Sequence, residues 1–369
     1  MSAARRAQRT QVWLDTLGDW TWPGQSPIAG GAQATVVAEV MPPPWIPASP
    51  PARAIDAAPP LPAAWQRGRR IVLALLLIAL VAVSGALVLR GRLAPARSAA
   101  AREAGAATGA QSRLLPVPRL TTLHTAAAGS AVMQARFHSI ALHRPGGYYI
   151  YLPPGHAAGA AQRYPVLYLL HGNSQHATAF LEMGLQRELD RLIAAHAIPP
   201  LIAVMIQGGP GANNWRNVKS MRYESYVLEV QEIVDRTLPS LPARDARAIA
   251  GISMGGYGAM ELALNNPYRF GVVESWLGFF NGLEGQLHVD RHAISRLGLH
   301  AFLYGGSSDK IADPSEDAPF AAQLRAAGAD ATGVVYPGEH SVETAEAHLE
   351  HMLRFAAGHL QTRSVRGPR

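Results

Sequence analysis

Residues 246–266, ARAIAGISMGGYGAMELALNN, decide the fold. A short apolar run ends at Ile252 and a helix-forming run begins at Gly255, so the turn between them is Gly251, Ile252, Ser253, Met254, Gly255, continued by Gly256, Tyr257, Gly258 and Ala259. A serine on so sharp a strand-to-helix turn holds a strained backbone, and small residues two before and two after it let neighbouring backbones pass closely. The hydroxyl is thereby left exposed. The helix that starts behind it offers unpaired amides and a positive dipole end to any oxyanion forming at the serine. Ser253 is therefore the candidate nucleophile.

Outward from this turn, short apolar runs alternate with helical stretches, the pattern of a mostly parallel sheet flanked by helices. Strands are expected at Gln134–Leu142 and Tyr148–Leu152, joined across Arg144, Pro145, Gly146 and Gly147. Further strands are expected at Val166–Leu170, Leu201–Ile206, Ala246–Ile252, Val272–Trp276, Ala301–Tyr304 and Gly333–Tyr336. Helices are expected at Phe180–Ala197, Tyr223–Leu238, Gly255–Asn265, Ala318–Ala327 and Val342–Leu360. That gives roughly eight strands and five helices, with no fixed-period repeat.

A nucleophilic serine needs a base, and the base needs a carboxylate to fix its tautomer, in the chain order serine, acid, histidine for a strand-turn-helix site. Asp309, in GGSSDK beyond the apolar run AFLY, and His340, in YPGEHS before the last amphipathic helix, follow in that order. Asp313 is the rival acid, while Glu316 and Asp317 read as first-turn helix acids. One oxyanion donor is the amide of Met254. The other is expected in the HGNSQ turn after YPVLYLL, at the amide of Asn173, with His171 supporting that loop. Asn213, Asn214, Trp215 and Asn217, in GGPGANNWRN, line an acyl or alcohol pocket or else form a polar surface loop, and Trp215 and Tyr257 are the candidate substrate contacts. His348 and His351 with Glu350 have a spacing that metal ligands use, but a solvated helix face explains them, so neither a metal nor a cofactor is expected.

These segments, YPVLYLLHGNS, the stretch around Trp215, GISMGGYGAMELAL, YGGSSD and YPGEHS, resemble the "Putative esterase" family of α/β hydrolases, which includes esterase D, feruloyl esterases and mycolyltransferases. The resemblance covers about residues 130–360, and SMGGYGA is more specific than the bare GxSxG pattern. It implies the α/β-hydrolase fold and cleavage of carboxylic esters, or acyl transfer as in the mycolyl branch, by Ser253, Asp309 and His340. The mycolyl branch uses a glutamate as its acid, which this loop offers only as Glu316. The expected substrate is a small-molecule ester or a lipid or sugar ester of the cell envelope. A catalytically silent domain that binds an envelope partner is the remaining reading.

Composition places this domain in a larger plan. Residues 71–89, IVLALLLIALVAVSGALVL, carry no charge, and as a helix they span roughly 28 Å, against a hydrocarbon core of ~30 Å. Arg67, Arg69 and Arg70 precede the run and Arg90, Arg92, Arg97 and Arg102 follow it, so the positive-inside rule nearly cancels. Arg5, Arg6 and Arg9 favour an inside N-terminus and an extracytoplasmic catalytic domain. The expected order is a Pro/Ala-rich disordered tail over 1–70, one transmembrane helix over 71–89, a flexible stalk over 90–125, the hydrolase domain over 126–362 and a basic tail over 363–369. Six units of the formal net charge of +7 lie within residues 1–100, the tail and the span's flanks. Residues 1–100 carry 10 of the 33 Arg and Lys and 4 of the 26 Asp and Glu, leaving 23 basic against 22 acidic beyond them. Nucleic-acid binding by the domain thus has no electrostatic support. The absence of cysteine excludes a thiolate metal site, a cysteine nucleophile and a disulfide scaffold.

Overall fold

The computed structural model describes residues 115–156, 162–209, 211 and 213–362. In chain order the first half holds β1 (Arg119–Thr125), β2 (Ala131–Ser139), β3 (Arg144–Leu152), β4 (Val166–Leu170), α1 (Ala179–Glu182), α2 (Leu185–Ala194), β5 (Ile202–Ile206), β6 (Asn217–Val218), β7 (Met221–Arg222) and α3 (Tyr223–Thr237). The second half holds β8 (Arg247–Ile252), α4 (Met254–Asn265), β9 (Val272–Trp276), α5 (Glu284–Leu297), β10 (His300–Gly306), α6 (Asp317–Ala326), β11 (Asp330–Tyr336) and α7 (Val342–His359). Nine strands form one sheet in the order β1-β2-β3-β5-β4-β8-β9-β10-β11, and β6 and β7 pair as a separate ribbon.

Pairing is antiparallel from β1 to β5 and parallel from β5 to β11. Every residue of β4, β5, β8 and β9 is buried, because helices cover both faces of a parallel sheet and leave no wet side. The strand period of two divides their side chains between two apolar layers. Val166, Tyr168 and Leu170 of β4 join Ile249 of β8 in the layer covered by α3 to α6. Leu167 and Leu169 join Ala248 and Ala250 in the layer covered by α1, α2 and α7.

The chain departs from expectation at its start. Residues 119–125 fall within the expected stalk but form β1, paired with β2 from Arg119 opposite Arg136 to Thr125 opposite Ala131. Six of its seven residues are exposed, so the sequence RLTTLHT shows no apolar stripe by which a strand would be recognised. The sheet thus begins before residue 126. The expected join at 144–147 also moves, since these residues lie inside β3 and the turn falls at 140–143. Glu229 of α3 holds that turn by accepting hydrogen bonds from Ser139 Oγ (2.5 Å) and the Ile140 amide (2.8 Å). The glycines at 146 and 147 serve a close approach instead: the Tyr226 ring lies where a Gly146 side chain would be, and the Tyr226 hydroxyl bonds both the amide and the carbonyl of Gly147.

The helix expected over 180–197 divides at Gly184, whose φ of 84° ends α1 and starts α2. Helix α5, EGQLHVDRHAISRL, is an addition, built on a polar sequence with Leu287 and Ile294 as its inward contacts. Among the described residues no helix is long and apolar enough to cross a membrane. The run at 71–89, the tail at 1–70, the stalk up to residue 114 and the tail at 363–369 lie outside the described residues.

Candidate active site

Ser253 sits between β8 and α4 with φ 54° and ψ −118°, a backbone conformation that costs a side-chain-bearing residue on the order of 1–3 kcal/mol and persists only when neighbours enforce it. The Ser253 amide donates to the Trp276 carbonyl of β9 (2.8 Å), and its own carbonyl accepts the first bond of α4 from Tyr257 (3.1 Å). A side chain at Gly251 would collide with the Gly255 backbone, and one at Gly255 with the Leu170 and His171 carbonyls. The two small residues flanking the serine at a distance of two are thus required by packing against the end of β4.

His340 Nε2 lies 2.8 Å from Ser253 Oγ, and its Nδ1 lies 2.6 Å from Asp309 Oδ2. An ionised carboxylate only accepts, so the imidazole proton sits on Nδ1 and Nε2 is left to accept from the serine hydroxyl. The Asp309 side chain is fully buried, and its other oxygen accepts from the amides of Ile311 (2.8 Å) and Ala312 (2.9 Å). The loops that carry acid and base are tied together by backbone bonds from Ser307 to Tyr336 (2.7 Å) and from Ser308 to Gly338 (2.8 Å). Parallel pairing of β10 with β11 makes this possible, because both strands end on the same side of the sheet as β8.

Asp313, the rival, is occupied elsewhere. It caps a short 3₁₀ turn, Pro314–Glu316, by accepting from the Ser315 amide (2.9 Å), a bond that holds its carboxyl below the usual range. Glu316 accepts from the Phe280 amide (3.2 Å). Asp317 does begin α6, but it is no solvated helix acid: it is buried with neither oxygen hydrogen-bonded. Burial, together with the charges of Glu316, Asp309 and Asp313, pushes its carboxyl up to about 8.

The two amides expected to receive an oxyanion lie at the end of β4 and the start of α4. Met254 is the first residue of α4, so helix geometry supplies its amide with no partner. Asn173 lies in the turn after β4, where the neighbouring Gly172 amide donates to Gln175 Oε1 (2.8 Å). His171 is buried, its Nδ1 bonded to the Gly172 carbonyl (2.8 Å) and its Nε2 accepting from the Gly208 amide (3.0 Å). Burial lowers its pKa to about 4, which keeps it neutral as a brace for this turn.

Trp215, a candidate substrate contact, is 1% exposed, and its indole Nε1 donates to the His171 carbonyl (3.1 Å). Its ring packs where side chains at Gly208 and Gly258 would lie. Full burial makes it a buttress of the turn rather than a surface a substrate touches. Asn213 likewise serves the loop, bonding the Gly209 carbonyl and the Trp215 amide, and Asn217 caps the start of α3 at Ser225. Tyr257, one helical turn after Ser253, stacks on Phe279 at 4.9 Å, with the Arg216 guanidinium 5.9 Å from its ring centre. Arg216 pairs with Glu261 (2.8 Å), whose carboxyl burial raises, and Gln286 bonds the same carboxylate. The sequence points to Tyr257 but not to Phe279, Arg216, Glu261 and Gln286 around it. The signal available was Glu261, a lone acid in the apolar helix GAMELALNN.

Among the acids and histidines read as possible metal ligands, His348 stacks on Tyr336 at 4.0 Å and His351 tilts against Phe302 at 5.0 Å, while Glu350 pairs outward with Arg354 and Arg191. They do not converge.

A family model described as "Putative esterase" matches residues 139–355. An endo-1,4-beta-xylanase/feruloyl esterase of Xylanibacter ruminicola is 28% identical over 214 residues, which are 56% of this chain and 28% of that protein. An esterase of Mycobacterium tuberculosis is 28% identical over 157 residues, 39% of this chain and 31% of its own length. The chain therefore spans less than a third of either curated relative. A solved ferulic acid esterase superposes with a TM-score of 0.56 at 22% identity, covering 62% of this chain and 98% of the other, a likeness that extends to the α/β-hydrolase fold with its mostly parallel sheet.

Proposed function

The chain belongs to the "Putative esterase" family, and from that premise we propose that it is a serine hydrolase that cleaves carboxylic esters through a covalent acyl-enzyme. The observation that carries this reading is the relay from Ser253 Oγ to His340 Nε2 (2.8 Å) and from His340 Nδ1 to Asp309 (2.6 Å). His340 takes the serine proton as Ser253 Oγ attacks the ester carbonyl. The new oxyanion is received by the amides of Met254 and Asn173. Asp309 holds the imidazole in its productive tautomer and balances the imidazolium that forms. His340 then gives its proton to the departing alkoxide, releasing the alcohol and leaving an acyl group on Ser253. Water, deprotonated by His340, attacks that acyl carbon, and the acid leaves as Ser253 recovers its proton.

Tyr257, one helical turn after Ser253, is buried like Trp215 but stacks on the half-buried Phe279, an aromatic pair that suits an aromatic acyl group, and a feruloyl esterase is among the relatives. Methyl ferulate and p-nitrophenyl acetate are accordingly the first substrates to offer the full-length chain. Both should be hydrolysed, with Ser253→Ala inactive. Turnover that survives this change would remove Ser253 from the mechanism.

Residues 71–89 anchor the enzyme in a bilayer with its catalytic domain on the outer side, a proposal supported by the charge-free run and by Arg5, Arg6 and Arg9 before it. A reporter active only outside the cytoplasm, fused after Arg369, should give signal. Signal from a cytoplasmic reporter at the same place would invert the anchor.

A further inference from the structure

The end of the sheet remote from Ser253 gathers a second constellation. His300 opens β10 and Asp330 opens β11, directly opposite one another in register, and His359 closes α7 beside them. Asp330 Oδ2 lies 3.1 Å from His300 Nδ1 and 3.9 Å from His359 Nε2, the two imidazole rings are 4.3 Å apart, and the three ligand atoms fall within 4.8 Å of one another.

The third contact of this cluster, between His359 and Asp330, is not a hydrogen bond. His359 Nδ1 lies 2.9 Å from the Phe355 carbonyl, an oxygen that only accepts, so the ring proton sits on Nδ1. Nε2 then turns its lone pair toward the Asp330 carboxylate from beyond hydrogen-bonding range. With the ring neutral, the two acceptors repel unless a positive charge, a second ring proton or a metal ion, lies between them. A metal-bound histidine is commonly arranged in just this way, with its second nitrogen donating to a backbone carbonyl. In a tetrahedral zinc site with ligands at ~2.0–2.1 Å, the ligand atoms stand about 3.3 Å apart, close to the 3.1 and 3.9 Å found here.

We propose that His300, Asp330 and His359 form a structural site for a divalent transition-metal ion of the zinc type. Two imidazoles and one carboxylate favour such an ion over the oxygen-seeking calcium and magnesium. All three side chains are partly exposed, so water completes the coordination. The ion ties together β10, β11 and α7, the elements whose other ends adjoin the loops of Asp309 and His340. At roughly 3.3 Å per residue, the length of β10 keeps the ion some 20 Å from the relay, so it strengthens the framework without entering the chemistry.

The test is zinc titration of the chelator-treated full chain, followed by calorimetry and by thermal unfolding. One tight equivalent and a rise in Tm of about 5 to 10 °C at a hundredfold excess over Kd are expected. The His300→Ala/His359→Ala pair should lose both responses while keeping the metal-free Tm and circular dichroism of the parent, and His348→Ala/His351→Ala should keep both. Cobalt(II) in place of zinc should give visible d–d bands that vanish in the first pair. Should that pair fold poorly, His359→Gln carries the same comparison. The proposal is overturned if no stoichiometric equivalent binds, if the first pair binds as the parent does, or if the cobalt bands persist in it.

Discussion

The two halves of the nine-stranded sheet differ in what they contribute. The parallel half, β5 to β11, places Ser253 after β8, the Asp309 loop after β10, the His340 loop after β11 and the Asn173 turn after β4. The antiparallel half, β1 to β3, places none of them. Parallel strands all point their carboxyl ends the same way, so loops far apart in sequence meet at one edge, whereas antiparallel strands send alternate loops to opposite edges. Disturbing the parallel half's loops should therefore abolish chemistry, and disturbing the outer antiparallel strands should cost stability alone.

The largest effect expected is that of Asp309→Asn, which leaves packing intact but allows the wrong imidazole tautomer. Ester turnover should fall by about 10³- to 10⁴-fold with an unchanged circular dichroism spectrum. Asp313→Asn, which loosens only the cap at Ser315, should stay within about threefold of the parent, since loss of such a cap costs roughly 1 kcal/mol of local stability. Equal losses in the two variants would break the distinction between them.

Next comes a pH effect at the same edge. Asp317 carries a carboxyl raised from 3.8 to about 8, so between those values the folded chain holds a proton that the unfolded chain has released. Stability must then fall as pH climbs from about 4 to 8. Glu274, buried in β9 and also raised to about 8, acts in the same direction. Urea midpoints at pH 5 and pH 8.5 should therefore differ, and Asp317→Asn should narrow the gap by at least about 1 kcal/mol. An unaltered gap would mean that the carboxylate finds a partner on folding.

The smallest effect belongs to the antiparallel edge. In Thr121→Pro/Thr122→Pro one of the two lost amides faces β2, because ladder contacts alternate along a strand. Tm should drop by a few degrees and kcat/KM should stay within about twofold. A collapse of activity would show that β1 does more than cover an edge.

The same division governs what could be read from the sequence. Strands β4 and β9 were legible to the residue because burial on both faces leaves uninterrupted apolar runs such as VLYLL. Strand β1 was not, since RLTTLHT is polar on both sides, and α5 hid for the same reason. Gly146 and Gly147 imitated a turn because glycine marks any close backbone approach, here that of the Tyr226 ring, as well as a reversal. At the site, local punctuation and chain order singled out Ser253, Asp309 and His340 as candidates, and the structure brings the three within hydrogen-bonding reach. Trp215 was misread because an aromatic residue in a Gly/Asn-rich loop looks accessible, and only the tertiary fold buries it under His171. The convergence of His300, Asp330 and His359 has no sequence signature, since residues 30 and 29 positions apart meet only once β10, β11 and α7 have packed.

If His340 makes Ser253 nucleophilic, covalent labelling reads it directly. Treatment of the full chain with a fluorophosphonate, followed by intact-mass and peptide analysis, should give one adduct, on the peptide containing Ser253. The rate of labelling should collapse in His340→Ala, whose fold is retained. Labelling at another serine, or an undiminished rate at Ser253 without His340, would contradict the claim.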